Sequence, residues 1–300
     1  MAGISTVIER NEVYELRAPA RQTLAGVFAS PHSGTDYRPE FLTQSRLDPI
    51  TLRRSEDAFV DEIFAAAPER GAPLLKALFP RAFIDPNREP WELDAAMFAE
   101  PLPNYVNSRS PRVAAGLGTI ARVVANGEEI YGHKLDFTEA ARRVDRYYRP
   151  YHAALNTVIE RTRERFGWCF LIDCHSMPSV GGPMDRDPGM PRVDFVLGDC
   201  HGASCGAALV ETVEAYIAGL GYVVTRNIPY AGGYVTRTYG RPERGVHALQ
   251  IEINRALYMD ERRYERSATF DRLAADLLTL AARLAEIPLE ELKPYRAAAE

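Results

Sequence analysis

Short apolar runs, each closing on a polar cluster, alternate along this chain with longer stripes of helical period. This alternation is the strongest constraint on its fold. The runs are Leu24 to Ala29, Ala82-Phe83-Ile84, Cys169 to Ile172, Val193 to Leu197, Tyr222 to Thr225 and Val246 to Ile253. Their length and β-branched content read as strands. Between them, Ala140, Val144, Tyr147, Tyr151, Leu155 and Val158 recur every three or four residues. So do Cys205, Leu209, Val213, Tyr216 and Leu220, and Phe270, Leu273, Leu277, Leu280 and Leu284. That period is helical. Asp136-Phe137-Thr138-Glu139 reads as a capping box, and Glu56 to Ala67 as a further short helix. Strands alternating with helices predict an α/β fold with a mostly parallel sheet covered by helices on both faces. No repeat or linker interrupts the pattern, so a single domain over residues 1–300 is expected. Met177 to Arg192, rich in Pro and Gly, reads as an exposed loop.

In open α/β sheets ligands bind beyond the carboxyl ends of the strands. Four polar clusters fall there: His32 with Asp36, Asp85-Asn87-Arg88, Asp173-His175-Ser176 and Glu252-Asn254-Arg255. Two histidines at matching strand ends plus a carboxylate make a three-ligand metal site with one open position. Gly34 permits a turn that aims His32 and Asp36 at one ion. In Val246 to Asn254, Gln250, Glu252 and Asn254 share one strand face. A carboxylate in so apolar a strand has a raised pKa, as a general base near neutral pH needs. Asp173 is placed to orient His175 or to bind metal itself.

Arg88 and Arg255 each follow an asparagine at a strand end and can hold an anion bidentately. Asn227 to Tyr234 reads as a flap whose glycines admit a ligand. His201 is a third histidine within possible reach, His133 and His152 read as ordinary surface or helix positions, and His247 as a satisfied core histidine. No GxSxG elbow, Walker A loop or GxGxxG opening a helix occurs.

Composition narrows the partners. A net charge of −5, from 36 basic and 41 acidic residues, gives no global field for nucleic acid or an anionic membrane. No apolar run is long enough to span a bilayer. The first residues lack a basic stretch followed by an apolar one, and the four cysteines form no CxxC pair, so a cytoplasmic protein with reduced thiols is expected. The sequence carries no signal for one oligomeric state.

Six segments occur in order: Ser30-Pro31-His32-Ser33-Gly34, Phe83-Ile84-Asp85-Pro86-Asn87-Arg88-Glu89, Gly116-Leu117-Gly118-Thr119-Ile120, Leu171 to Ser179, Pro229-Tyr230-Ala231-Gly232-Gly233 and Gln250-Ile251-Glu252-Ile253-Asn254-Arg255. Together, from about residue 27 to residue 260, they resemble the N-formylglutamate amidohydrolase (deformylase) family. The resemblance implies a three-layer α/β/α, phosphorylase/hydrolase-like fold related to zinc carboxypeptidases and aspartoacylases. It also implies one Zn²⁺ ion and hydrolysis of N-formyl-L-glutamate to formate and L-glutamate in histidine degradation.

On that plan His32 and His175 are metal ligands and Glu252 is the base. The relatives place an acid three residues after the first histidine. Thr35 stands there in this chain, so Asp36 is taken as the middle ligand, with Asp85 and Asp173 as rivals. Arg88 is expected to stabilise the oxyanion or a substrate carboxylate. Asn87, Arg88, Asn254, Arg255, Ser176, Tyr230 and Gly233 form the expected substrate-binding set. The alternatives are zinc hydrolysis of another N-acyl amino acid or peptide carboxyl end, and a non-catalytic binding protein for an amino acid or anion.

Overall fold

The computed structural model describes residues 5–292 apart from 184 and 186. Eight strands form one mixed sheet: β1 (Thr6–Arg10), β2 (Tyr14–Pro19), β3 (Gly26–Ser30), β4 (Leu74–Ala77), β5 (Cys169–Met177), β6 (Phe195–Gly198), β7 (Val224–Arg226) and β8 (Val246–Asn254). Their order is β1-β2-β4-β3-β5-β8-β6-β7. The central β4-β3-β5-β8 block is parallel throughout. β6 joins β8 antiparallel, and β2 joins β4 antiparallel.

Alternation along β5 divides the core. Phe170, Ile172 and Cys174 point to one apolar layer, where the helices Ala207–Gly219 and Phe270–Leu284 supply Leu209, Val213, Leu273, Leu277 and Leu280. Cys169 and Leu171 point to the other, against Tyr151, Leu155 and Ile159 of the helix Arg149–Phe166. Helices on both faces give the three-layer α/β/α arrangement expected from the sequence. β8 divides in the same way, with Leu249, Ile251 and Ile253 on the first face and Val246 and Ala248 on the second. Continuing the second face along each strand leads to Asp173 and His175 on β5 and to Gln250 and Glu252 on β8. The strands pair in register with Asp173 opposite Gln250 and His175 opposite Glu252.

Several local expectations are corrected. Ala82-Phe83-Ile84 is no strand: Pro80 starts a turn in which the Phe83 N–H donates to the Pro80 carbonyl at 2.9 Å. The strand lies earlier, at Leu74–Ala77, where Lys76 pairs with Asp61 at 2.8 Å. Glu56 to Ala67 shrinks to the single turn Val60–Ile63 and a 3₁₀ turn, Ala67–Arg70. The Asp136 side chain makes no capping bond, and Glu139 instead pairs with Arg142 and Arg143. The hairpin β1–β2 was not anticipated because β1 is exposed along its whole length and has no buried face to pattern its sequence. The four cysteines are unpaired thiols. Among the described residues no helix is long and apolar enough to cross a membrane.

Candidate metal centre

The site forms where β3, β5 and β8 end. β3 runs out at Ser30, and the chain turns so closely that a Cβ on Gly34 would lie 2.1 Å from the Phe79 carbonyl oxygen. Glycine is required by that approach. The turn buries His32 beside His175, with ring centroids 4.7 Å apart.

The third member is Asp57. Its backbone N–H donates to the His32 carbonyl at 3.1 Å, and its own carbonyl accepts from the Ser33 hydroxyl at 3.0 Å. These ties carry its Oδ2 to 3.3 Å from His32 Nδ1 and 3.0 Å from His175 Nδ1. One donor atom from each of His32, Asp57 and His175 lies within 4.8 Å of the others, and all three residues are buried. The outer nitrogens are also held. His32 Nε2 meets Asp85 Oδ1 at 2.7 Å, and His175 Nε2 meets Asp173 Oδ1 at 2.9 Å and Asn87 Nδ2 at 3.1 Å. Asp173 is steadied in turn by the Thr236 hydroxyl at 3.0 Å. A carboxylate behind each imidazole is the arrangement that orients metal-binding histidines.

Electrostatics point the same way. Burial would raise the Asp57 carboxyl, yet its hydrogen bonds with His175 and His32 hold it well below the ordinary value. Asp85 is likewise held low against burial by His32, Arg81 and Arg88. Burial opposes charge on His175, but Asp173 and Asp57 raise its pKa well above the usual imidazole range. The centre therefore favours positive charge where the two rings meet Asp57. Two imidazoles and a carboxylate oxygen are a donor set suited to zinc or a similar divalent ion.

Glu252 stands beside this group on β8. Burial raises its carboxyl to about 7, with His175 pulling the other way. Gln250 fixes it: Nε2 donates to Glu252 Oε1 at 2.7 Å while Oε1 accepts from the Gly233 N–H at 2.7 Å. A Cβ on Gly233 would collide with the Asn87 side chain, at 2.2 Å from Nδ2.

Asp36 is not part of the cluster. Its half-exposed carboxylate pairs with Arg38 at 3.1 Å, and its backbone N–H donates to the Leu78 carbonyl, so the chain beyond Gly34 leads outward. Asp36→Asn is therefore expected to leave bound-metal stoichiometry unchanged and to alter stability by only about 0.5 kcal/mol, as a surface change does. Metal analysis of dialysed protein checks it.

Other expected residues are engaged differently. All three guanidinium nitrogens of Arg255 are held, by Asp57 Oδ1 at 3.1 Å, Ser176 Oγ at 3.1 Å and the Arg54 carbonyl at 3.2 Å. Arg255 thus braces Asp57, and Ser176 faces Arg255. The Asn254 amide donates to the carbonyls of Arg192 and Val193 and caps Ala256, which ties down a loop. Tyr230 lies with the Arg192 guanidinium 5.1 Å above its ring, and burial and the Glu252 charge raise its hydroxyl pKa. Arg88 donates to the carbonyls of Leu117 and Asn87, both at 3.0 Å. His201 is exposed in a left-handed turn, and His152 is partly buried among tyrosines, its pKa lowered by desolvation to about 4. His247 is a satisfied core histidine, bonded to the Gly206 N–H and the Leu292 carbonyl.

Asp57 and Gln250 are the participants that sequence reasoning missed. Gln250 was visible through its shared strand face with Glu252. Asp57 had no marker beyond its place in an acidic pair before an apolar run.

Comparison with known proteins identifies the family. The family model for N-formylglutamate amidohydrolase matches residues 24–259. An N-formylglutamate deformylase of Pseudomonas putida is 30% identical over 242 residues, covering 78% of this chain and 82% of the relative. One of Pseudomonas aeruginosa is also 30% identical, covering 79% and 82%. The crystal structure of N-formylglutamate amidohydrolase from Ralstonia eutropha JMP134 superposes with a TM-score of 0.83 at 38% identity, covering 92% of this chain and 98% of that one. With the parallel block β4-β3-β5-β8 and the His–Asp–His group inside the matched region, the chain belongs to the N-formylglutamate amidohydrolase family.

Proposed function

We propose that this protein hydrolyses N-formyl-L-glutamate to formate and L-glutamate. The observation that carries the reading is the convergence of His32, Asp57 and His175 beside a buried glutamate of raised pKa, Glu252. Family membership supports the substrate, and the resemblance supports a place in histidine degradation in the cytoplasm. His32 and His175, through the Nδ1 atoms that face Asp57, would hold one Zn²⁺ together with Asp57 Oδ2. Such an ion supplies Lewis-acid polarisation of the formyl carbonyl and acidifies water.

This chain's own groups do the rest. Asp85 and Asp173 fix the two rings, and Arg255 braces Asp57 from behind. Glu252 accepts a proton from the attacking water and returns it to the leaving amine nitrogen. Gln250 occupies Oε1 of that carboxylate, which leaves Oε2 to carry the proton. Asn87 and Arg88, beside His175 and Asp85, would meet the oxyanion or a substrate carboxylate.

The test is formate release from N-formyl-L-glutamate, N-formyl-L-alanine and a peptide with a free carboxyl end, with N-acetyl-L-glutamate followed by glutamate release. N-formyl-L-glutamate is expected to give the highest kcat/KM. No product from any N-acyl substrate by metal-loaded protein would sink the proposal.

A further inference from the structure

Beside Asp85 and Asn87 the fold gathers positive charge with few counterions. Arg88 is nearly buried, held by the Leu117 and Asn87 carbonyls; among the described residues Asp85 is the one carboxylate within 4 Å of it, at 3.9 Å, with Glu92 acting from farther off. The turn that supplies the Leu117 carbonyl springs from the short helix Pro111–Ala114, where the Leu117 N–H donates to the Arg112 carbonyl at 2.8 Å. From the other side comes the helix Tyr234–Tyr239, which carries Arg237. Its first turn is pinned to Asn87: the Tyr234 N–H points at the Asn87 carbonyl and the Val235 N–H donates to Asn87 Oδ1 at 2.8 Å. The three segments that carry Arg88, Arg112 and Arg237 therefore meet around Asn87 and the Leu117 turn, with Arg112 and Arg237 near enough for each charge to act on the other.

Neither the Arg112 nor the Arg237 side chain makes a hydrogen bond or ion pair among the described residues. Arg112 is half-buried, so solvent does not fully replace the missing partners. Burial, and then the charge of Arg237, weaken its hold on its proton, with Glu92 and Asp85 giving only partial relief. Guanidinium groups near one another without paired carboxylates are a site for an anion, and a planar fork matches a carboxylate.

We infer that Arg112 and Arg237 receive, with Arg88, a carboxylate of the substrate, so that the site selects N-acyl amino acids bearing a second acidic group. The inference rests on the amidohydrolase reading above and names the residues that give it specificity. Arg255, which the sequence suggested for this task, has no free nitrogen left.

The experiment compares Arg112→Gln, Arg237→Ala and the double variant with the parent protein on N-formyl-L-glutamate and N-formyl-L-alanine. The ratio of kcat/KM between the two substrates is expected to fall by about tenfold to a hundredfold, the loss expected when a charge-assisted hydrogen bond is removed. The fall is expected chiefly through KM for the glutamate substrate. Equal losses on both substrates would mark the arginines as structural, and an unchanged ratio would overturn the inference outright. Calorimetric binding of L-glutamate to the zinc-loaded proteins keeps the two readings apart. If the parent hydrolyses nothing yet binds L-glutamate in a way that these substitutions weaken, the arginine site stands and the hydrolase reading falls. If the parent hydrolyses N-formyl-L-glutamate and the substitutions leave its selectivity intact, the reverse holds. Arg237 is exposed, so its replacement tests the site even if Arg112→Gln fails to fold.

Discussion

Glu252→Gln is expected to lower kcat by about 10² to 10⁴, the contribution of a positioned general base, while metal content stays at the level of the parent protein. The amide has the size of the carboxylate and can still meet Gln250, but it cannot take a proton. The pH profile gives an independent readout. Burial raises Glu252 to about 7 in the metal-free protein, and a bound cation pulls it lower. Activity needs the deprotonated form, so it is expected to rise with pH along a limb at or below about 7 and above the ordinary carboxylate range. The residual activity of Glu252→Gln is expected to lack that limb. Near-parental turnover in the variant would remove Glu252 from the mechanism.

Asp57→Asn is the second large effect. A neutral amide offers the centre a poorer donor and leaves the buried Arg255 without its ion-pair partner. Losing a group that merely orients a ligand costs about 10- to 100-fold in metal affinity. Losing a ligand is expected to cost more than about 100-fold, read by competition with a chelator. Breaking the buried pair with Arg255 is expected to cost a further 3 kcal/mol or about that in stability, read by denaturant melts of the metal-free protein. The two readouts separate the roles. A lowered stability with unchanged metal affinity would reduce Asp57 to the partner of Arg255.

The legible and illegible parts of this site differ for a physical reason. β5 and β8 are buried along their whole length, so Asp173, His175 and Glu252 stand out beside apolar neighbours such as Phe170 to Ile172 and Leu249, Ile251 and Ile253. Alternation then assigns these polar residues to one face without knowledge of the fold. Asp57 reaches the site through a turn whose geometry depends on Ser33 and Arg255, distant in the chain, and no periodicity encodes that contact. Proximity in sequence favoured Asp36 instead, which the turn after Gly34 carries away. Arg255 and Asn254 looked like ligand-binding groups because they sit at a strand end. Their polar atoms are engaged by other protein groups, which only their partners reveal. The fold class followed from alternation, whereas β1 and β2 lay outside its reach because little of them is buried.

The sheet order has a consequence for how the chain must be made. β6 and β7 join the rest of the sheet only through β8, which is last of the eight in sequence and lies between β5 and β6. During synthesis the earlier strands can assemble up to β5, but its edge stays open and apolar until residues 246–254 emerge. A ribosome paused before Val246 would hold two unjoined pieces of sheet, with His32, Asp57 and His175 at the unfinished border and no glutamate beside them. Truncation there would divide the protein down its middle, although the residues lost come from its end.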